Sequence, residues 1–278
     1  MVLLSANIDA VAPAPCELKL ESGRYIRYVA PKDANPRKEV VFGGKFDEVN
    51  IPQRRKSSGN DAIDLTMCWE GVNSLCQLLD AIVETEMETD FFEGKSVLEV
   101  RGFPISKKKD LLQIGFATGL PSVYAYENGA AEIALHSPSK SSLQMYCKPT
   151  LRRNAIPENK CKFSSGDLSQ MRKAIGGKRF DVILAAELLN RSEDEFEMVH
   201  QILDEALSHD GICPSHYFTV DSSLASFLDL VKRHRQFDVI ERWSSPRTDV
   251  VQRKVRNMTF SVGSRWSHPL GVEQQVSG

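Results

Sequence analysis

A chain of 278 residues holds one large domain or two small ones, with length enough for a sizeable core. An apolar share of 41% and a charged share of 26% are those of an ordinary globular protein, and a net charge of −2 sets up no field that would draw it strongly to nucleic acid or a membrane. No apolar run reaches about 18 residues, so no transmembrane helix is expected, and Met1-Val2-Leu3-Leu4 lacks the basic start of a signal peptide. The basic runs Arg54-Arg55-Lys56 and Lys107-Lys108-Lys109 read as solvated loops rather than docking contacts. The six cysteines, at 16, 68, 76, 147, 161 and 213, form no C-x-x-C pair. They read as reduced, mostly buried thiols of an intracellular protein, and no histidines stand beside Cys68 and Cys76 at zinc spacing.

Residues 1–61, rich in Pro, Ala, Ser and charge, are expected to be a largely irregular segment, with one strand near Val40-Val41-Phe42. Trp69, Val72, Leu75, Cys76, Leu79, Ile82 and Val83 then make an apolar stripe at helical spacing. Val97-Leu98-Glu99-Val100 is a short strand, and Leu120 to Asn128 a helix stopped by Gly129. Strands follow at Ile133-Ala134-Leu135-His136 and Cys161-Lys162-Phe163-Ser164. Phe180 to Ala186 is apolar apart from Asp181, the pattern of a strand buried on both faces. Phe196, Val199, Ile202, Leu203 and Leu207 mark one helix, and Leu224, Phe227, Leu228 and Val231 another. Gly211-Ile212-Cys213-Pro214 reads as a shortened strand whose proline suits an edge or a bulge. Two last strands lie at Phe237 to Trp243 and Val255 to Val262, before a tail over residues 264–278.

Strands that alternate with helices imply a parallel sheet with right-handed crossovers, covered on both faces. Ligands of such sheets sit at the carboxyl ends of the strands, where the strand order reverses. One Gly-rich stretch, Gly115-Phe116-Ala117-Thr118-Gly119, precedes a helix there, and small residues let backbone approach a ligand closely.

Several pieces in fixed order carry a specific resemblance. They are Cys68-Trp69-Glu70, Gly94 to Val100, Gly119-Leu120-Pro121, Asn128 to Ile133, Cys161 to Asp167, Phe180 to Glu187, and Ser215-His216-Tyr217-Phe218. From Ile63 to Val262 the chain resembles the histidine protein methyltransferase 1 family, also called methyltransferase-like protein 18, within the class I S-adenosylmethionine-dependent methyltransferases. The resemblance implies an α/β domain over residues 62–263, built on a mostly parallel seven-stranded Rossmann-like methyltransferase sheet with helices on both faces. It implies methyl transfer from S-adenosylmethionine to a protein histidine, with large-subunit ribosomal protein three as substrate. A monomer of the cytoplasm and nucleus is expected, with no metal, no membrane partner and no strong nucleic-acid binding.

By matching position, the resemblance implies that Cys68, Trp69, Glu70, Gly71, Val72 and Gly115 face the cofactor. Glu99 is implied at its methionine end, His136, Ser137 and Pro138 at its ribose, and Gly166, Asp167 and Leu168 at its adenine, with Ala186 and Glu187 on the pocket floor. Each residue also has a plainer reading. Asp167 equally fits a helix N-cap, Glu99 an ion-paired strand end, and Trp69 a core residue. Glu187 and Asn190 are the candidates for orienting the target imidazole, or are buried structural groups. His216 reads as a core histidine before it reads as a base.

The departures from the family pattern are specific. The second strand should end in a carboxylate that takes both ribose hydroxyls, yet His136-Ser137-Pro138-Ser139 stand there. Losing such a charge-assisted pair costs about 1.5–3 kcal/mol. Leu168 replaces an aromatic residue, Ala117 a glycine, and Ala185-Ala186 polar groups. Removing Arg101 to Ile114 would join Val97-Leu98-Glu99-Val100 directly to Gly115, restoring an ordinary strand-to-loop signature with Glu99 as its acid. In the competing register Leu111 to Ile114 is the first strand and Gln113 stands at the acid's place.

Overall fold

The computed structural model describes residues 13–31, 65–85, 88–101, 118–186, 188–189, 192–244 and 253–262. The first described elements form a hairpin of β1 (Pro13–Lys19) and β2 (Tyr25–Pro31), paired antiparallel. This differs from the irregular segment expected over residues 1–61. Cys16, Leu18, Leu20, Ile26 and Tyr28 alternate along the two strands and are all buried, so the hairpin presents one apolar face to the domain. The strand expected near Val40 lies outside the described residues.

Helix α1 (Leu65–Asp80) widens into a π turn over Ala81–Thr85. Its stripe from Val72 to Val83 is buried as the spacing required. Then come β3 (Ser96–Arg101), α2 (Leu120–Glu127) and β4 (Glu132–Ser137). A bent helical stretch follows: α3 (Lys140–Ser142), a π turn at Leu143–Cys147, and α4 (Lys148–Arg153). The remainder is β5 (Cys161–Ser165), α5 (Leu168–Ile175), β6 (Phe180–Ala186), α6 (Phe196–Ala206), β7 (Leu207–Val220), α7 (Asp221–His234), β8 (Phe237–Ser244) and β9 (Arg253–Val262).

Seven strands form one sheet in the order β5-β4-β3-β6-β7-β9-β8. All neighbours from β5 to β7 run parallel, and β9 is antiparallel to both β7 and β8. This is the expected α/β architecture, a mostly parallel, Rossmann-like seven-stranded sheet with β6 at its centre. The residues of β6 explain that position: Val182, Leu184 and Ala186 enter the apolar cluster on one face, and Ile183 and Ala185 that on the other. The hairpin, α1, α2 and the stretch 140–153 cover the first face; α5, α6 and α7 cover the second.

Of the two readings for the strand at Gly211 to Pro214, an edge or a bulge, the structure rejects the edge and the shortening and keeps a bulge. The strand, β7, spans 14 residues and is paired on both sides, with β6 and with β9. Its irregularity is a bulge: Phe180 stands opposite Leu207 and Val182 opposite Ile212, so residues 208–211 face Asp181 alone. Gly211 belongs to that bulge, where an added β-carbon would lie 2.9 Å from the backbone nitrogen and oxygen of Ser208. The first strand is also settled. Ser96–Arg101 sits between β4 and β6, the place that the competing register gave to Leu111–Ile114, which lies outside the described residues.

Candidate functional site

The strand order reverses between β3 and β6, because β4 and β5 extend to one side and β7, β9 and β8 to the other. Register aligns the strand ends there: Val100 beside both His136 and Ala185, Arg101 beside Ala186, and Ser137 beside Ser165. An open α/β sheet binds its ligand at this edge.

On the β3 side, Glu99 is buried, 3% exposed. Its Oε2 accepts the backbone N–H of Ser122 at 3.0 Å and the Ser122 hydroxyl at 2.6 Å. Ser122 lies in the first turn of α2, where backbone N–H groups lack helical partners and favour a negative charge. The same charge is felt by two neighbouring thiols: burial, and then Glu99, hold Cys76 and Cys147 well above their ordinary values. Gly119 precedes the helix at φ 72°. A β-carbon there would both strain the backbone and meet Cys147 Sγ at 3.0 Å. The Gly119 carbonyl takes the Val123 N–H and opens the helix. Gly119 thus lets the backbone pack directly against Cys147, Leu135 and Leu151.

The β4 side is different. His136 is buried, and its Nε2 lies 3.1 Å from the Gly166 carbonyl oxygen, its Nδ1 2.9 Å from the Ser164 hydroxyl. A carbonyl only accepts, so Nε2 carries the proton and Nδ1 accepts from Ser164. Ser137 is fully buried; its hydroxyl accepts the Ser139 N–H and its carbonyl the Gly166 N–H. Pro138 follows, half-buried. These groups tie β4 to the exit of β5, and no carboxylate stands among them to accept a ribose diol. The ribose corner therefore does not fit the family's usual hydrogen bonding.

At the exit of β5, Asp167 caps a helix. Its carboxylate accepts the Gln170 N–H at 2.8 Å, while the Gln170 side chain accepts the Asp167 N–H at 3.0 Å, a capping box on α5. Gly166, at φ 130°, leaves room for that glutamine, whose Oε1 would sit 1.5 Å from an added β-carbon. Leu168 is buried in the second-face cluster.

Gly71 and Val72 are buried in α1, and Ala186 is buried at the end of β6. Cys68, Trp69 and Glu70 lie on α1, but their side chains fall outside the description, as does that of His216 on β7. Gly115, Glu187, Asn190 and Gln113 lie outside the described residues. Ser122 and Ser164 were not singled out by sequence; a serine three residues after a cap-position glycine was the available signal for the first. Among the described residues no group of three or more His, Cys, Asp or Glu is placed to hold a metal. No described helix is long and apolar enough to cross a membrane. Cys16, Cys76, Cys147, Cys161 and Cys213 form no disulfide, and all but Cys161 are buried.

No protein-family model matches the chain. It is 52% identical over 266 residues to protein F22B7.9 of Caenorhabditis elegans, an alignment that covers 94% of this chain and 100% of that protein. The chain belongs to the F22B7.9 family. That relative is itself described as uncharacterized, so membership assigns no activity. A more distant likeness reaches the histidine protein methyltransferase 1 homolog of Dictyostelium discoideum, at 25% identity over 128 residues. It covers 45% of this chain and 41% of that protein. Among solved structures, the ribosomal protein L11 methylase of Lactobacillus delbrueckii subsp. bulgaricus superposes with a TM-score of 0.47 at 16% identity. That superposition covers 69% of this chain and 80% of the other.

Proposed function

We propose that this chain is an S-adenosylmethionine-dependent protein-histidine N-methyltransferase of the cytoplasm and nucleus, its target a histidine of large-subunit ribosomal protein three. The observation that supports it best is the β3–α2 corner, where Glu99 holds the first turn of α2 beside left-handed Gly119. The partial likeness to a histidine protein methyltransferase homolog points the same way. The cofactor would supply an electrophilic methyl group. Glu99 and the loop ending in Gly119 would hold its methionine end, and Ala186 would lie beneath it. Glu187 and Asn190 are the candidates to accept the N–H of the target imidazole, which leaves the other nitrogen unprotonated and in line for attack. With the cofactor bound, its methyl would pass from sulfur to that nitrogen, and the proton of the imidazole would leave to solvent.

A second reading has its own observation. With both nitrogens of His136 committed to Ser164 and Gly166, and Ser137 buried, the ribose corner suits a methyltransferase relic that binds a partner without catalysis. Calorimetric titration with S-adenosylmethionine and S-adenosylhomocysteine, followed by methyl labelling of large ribosomal subunits, separates the readings. Binding with base-stable label on histidine supports the first. Label on lysine alone makes the chain a lysine methyltransferase of the same fold. Absence of binding leaves the relic.

A further inference from the structure

His200 has no part in the site described above. It sits on α6, 1% exposed. Its ring packs on His234 of α7 with centroids 4.5 Å apart, and edge-on against Phe237 of β8 at 5.2 Å. Its Nε2 is buried with no hydrogen-bond partner. On its own helix, Glu197 and Asp204 lie about one turn away on either side. Both carboxylates already have other partners: Glu197 takes His234 Nε2 at 3.1 Å, and Asp204 takes the Gln236 amide at 3.2 Å. From α7 the titratable neighbour is His234, while Lys232 and Arg233 are exposed. From β8 the Phe237 ring faces it, and Asp238 is exposed.

We propose that the His200–His234 contact is an acid-sensitive latch between α6 and the α7–β8 unit, closed while His200 is neutral and loosened when it takes a proton. A proton arriving at Nε2 would find no acceptor, would be buried from water, and would face a second imidazole across the contact. Burial, and then His234, hold the His200 ring below its ordinary value, against a weaker pull from Glu197 and Asp204. The unfolded chain therefore takes this proton near about pH 6.5 while the folded chain does not. Stability contributed by the closed latch is complete above that pH and is lost as the pH falls through it toward the lower folded value. Because α7 follows β7 directly, opening would reach the strand on the far side of central β6.

The test is amide hydrogen exchange on the full chain at about pH 7.5 and about pH 5.5, corrected for the intrinsic pH dependence of exchange. Exchange in α6, α7 and β8 should rise about tenfold more than in β3 and β6. His200→Phe, which keeps the ring and removes the buried nitrogen, should abolish that excess. If this variant does not fold, the ring proton resonance of His200 in the native chain decides, and should titrate below an ordinary histidine. A rise spread evenly over the sheet, an excess that survives in His200→Phe, or a His200 ring titrating at or above the ordinary value would each overturn the proposal.

Discussion

Glu99 and Ser122 are joined twice, backbone N–H and hydroxyl both donating to Oε2 at 3.0 and 2.6 Å. One carboxylate on a buried strand thereby fixes the first turn of α2, and with it the distance between Arg101 and Thr118, the described ends of the segment between β3 and α2. Ser122→Ala removes the hydroxyl and keeps the N–H. The loss should be about 1.5–3 kcal/mol, a melting-temperature drop of roughly 5 °C. Glu99→Ala should cost more, since it strands both donors in a buried corner. Thermal unfolding that ranks Ser122→Ala below Glu99→Ala would contradict this account.

Asp80 predicts that the N-terminal hairpin is part of the domain rather than an appendage. This 1% exposed carboxylate accepts the Ser22 N–H and hydroxyl, both at 2.9 Å, and the Tyr124 hydroxyl at 3.3 Å. Arg24 adds ion pairs to Glu84 and Glu127. Asp80→Ala leaves these donors unanswered and should destabilise by about 3 kcal/mol. Removing residues 1–31 should expose the apolar face of α2 and α4, giving a chain that aggregates or is cleaved rapidly by protease. A truncated chain with native protease resistance would show the hairpin to be dispensable.

The contrast between legible and illegible parts follows from how local each signal is. The β6 strand was legible because five consecutive small or apolar residues, Val182 to Ala186, point to burial on both faces. The hairpin was obscured by Pro13 and Pro15, although Cys16, Leu18 and Leu20 alternate; β1 tolerates the prolines because only β2 pairs with it. Pro214 suited an edge or a bulge; β7 lies inside the sheet, and its bulge falls just upstream, at residues 208–211. At the strand ends, the place of Glu99 on β3 could be read from the local apolar run around it. The commitment of His136 could not, because its partners Ser164 and Gly166 lie 28 and 30 residues away and meet it only through sheet register.

The ribose corner gives a direct prediction on affinity. Ser137 stands where the fold's ribose carboxylate is expected, and its hydroxyl already accepts the Ser139 N–H at 3.3 Å. An aspartate there can keep that bond with one oxygen and offer the other to a diol. Ser137→Asp should tighten S-adenosylhomocysteine binding about tenfold or more, the worth of a charge-assisted bond. An unchanged Kd by calorimetry would place the cofactor elsewhere.

The last prediction concerns the segment between β3 and Gly115. The pairing of β3 with β4 and β6 through Val97–Val100 puts the first strand before this segment, which supports reading Arg101 to Ile114 as an insertion. Fourteen added residues raise the loop-closure entropy only logarithmically, by on the order of 1 kcal/mol. Deleting them should therefore leave the melting temperature similar or higher. Arg101 contributes only the last β3 pairing, with Ala186, and Gly115 would take its place. Binding should respond more, because the Glu99–Ser122 tie and the backbone near Gly115 would then be joined by a short connection, with less chain to order around the ligand. We expect the deletion to strengthen S-adenosylmethionine binding and Glu99→Gln in the deleted chain to weaken it again. The reverse pattern, with Gln113→Asp restoring binding in the full chain and the deletion unfolding it, would make the segment a working part of the site.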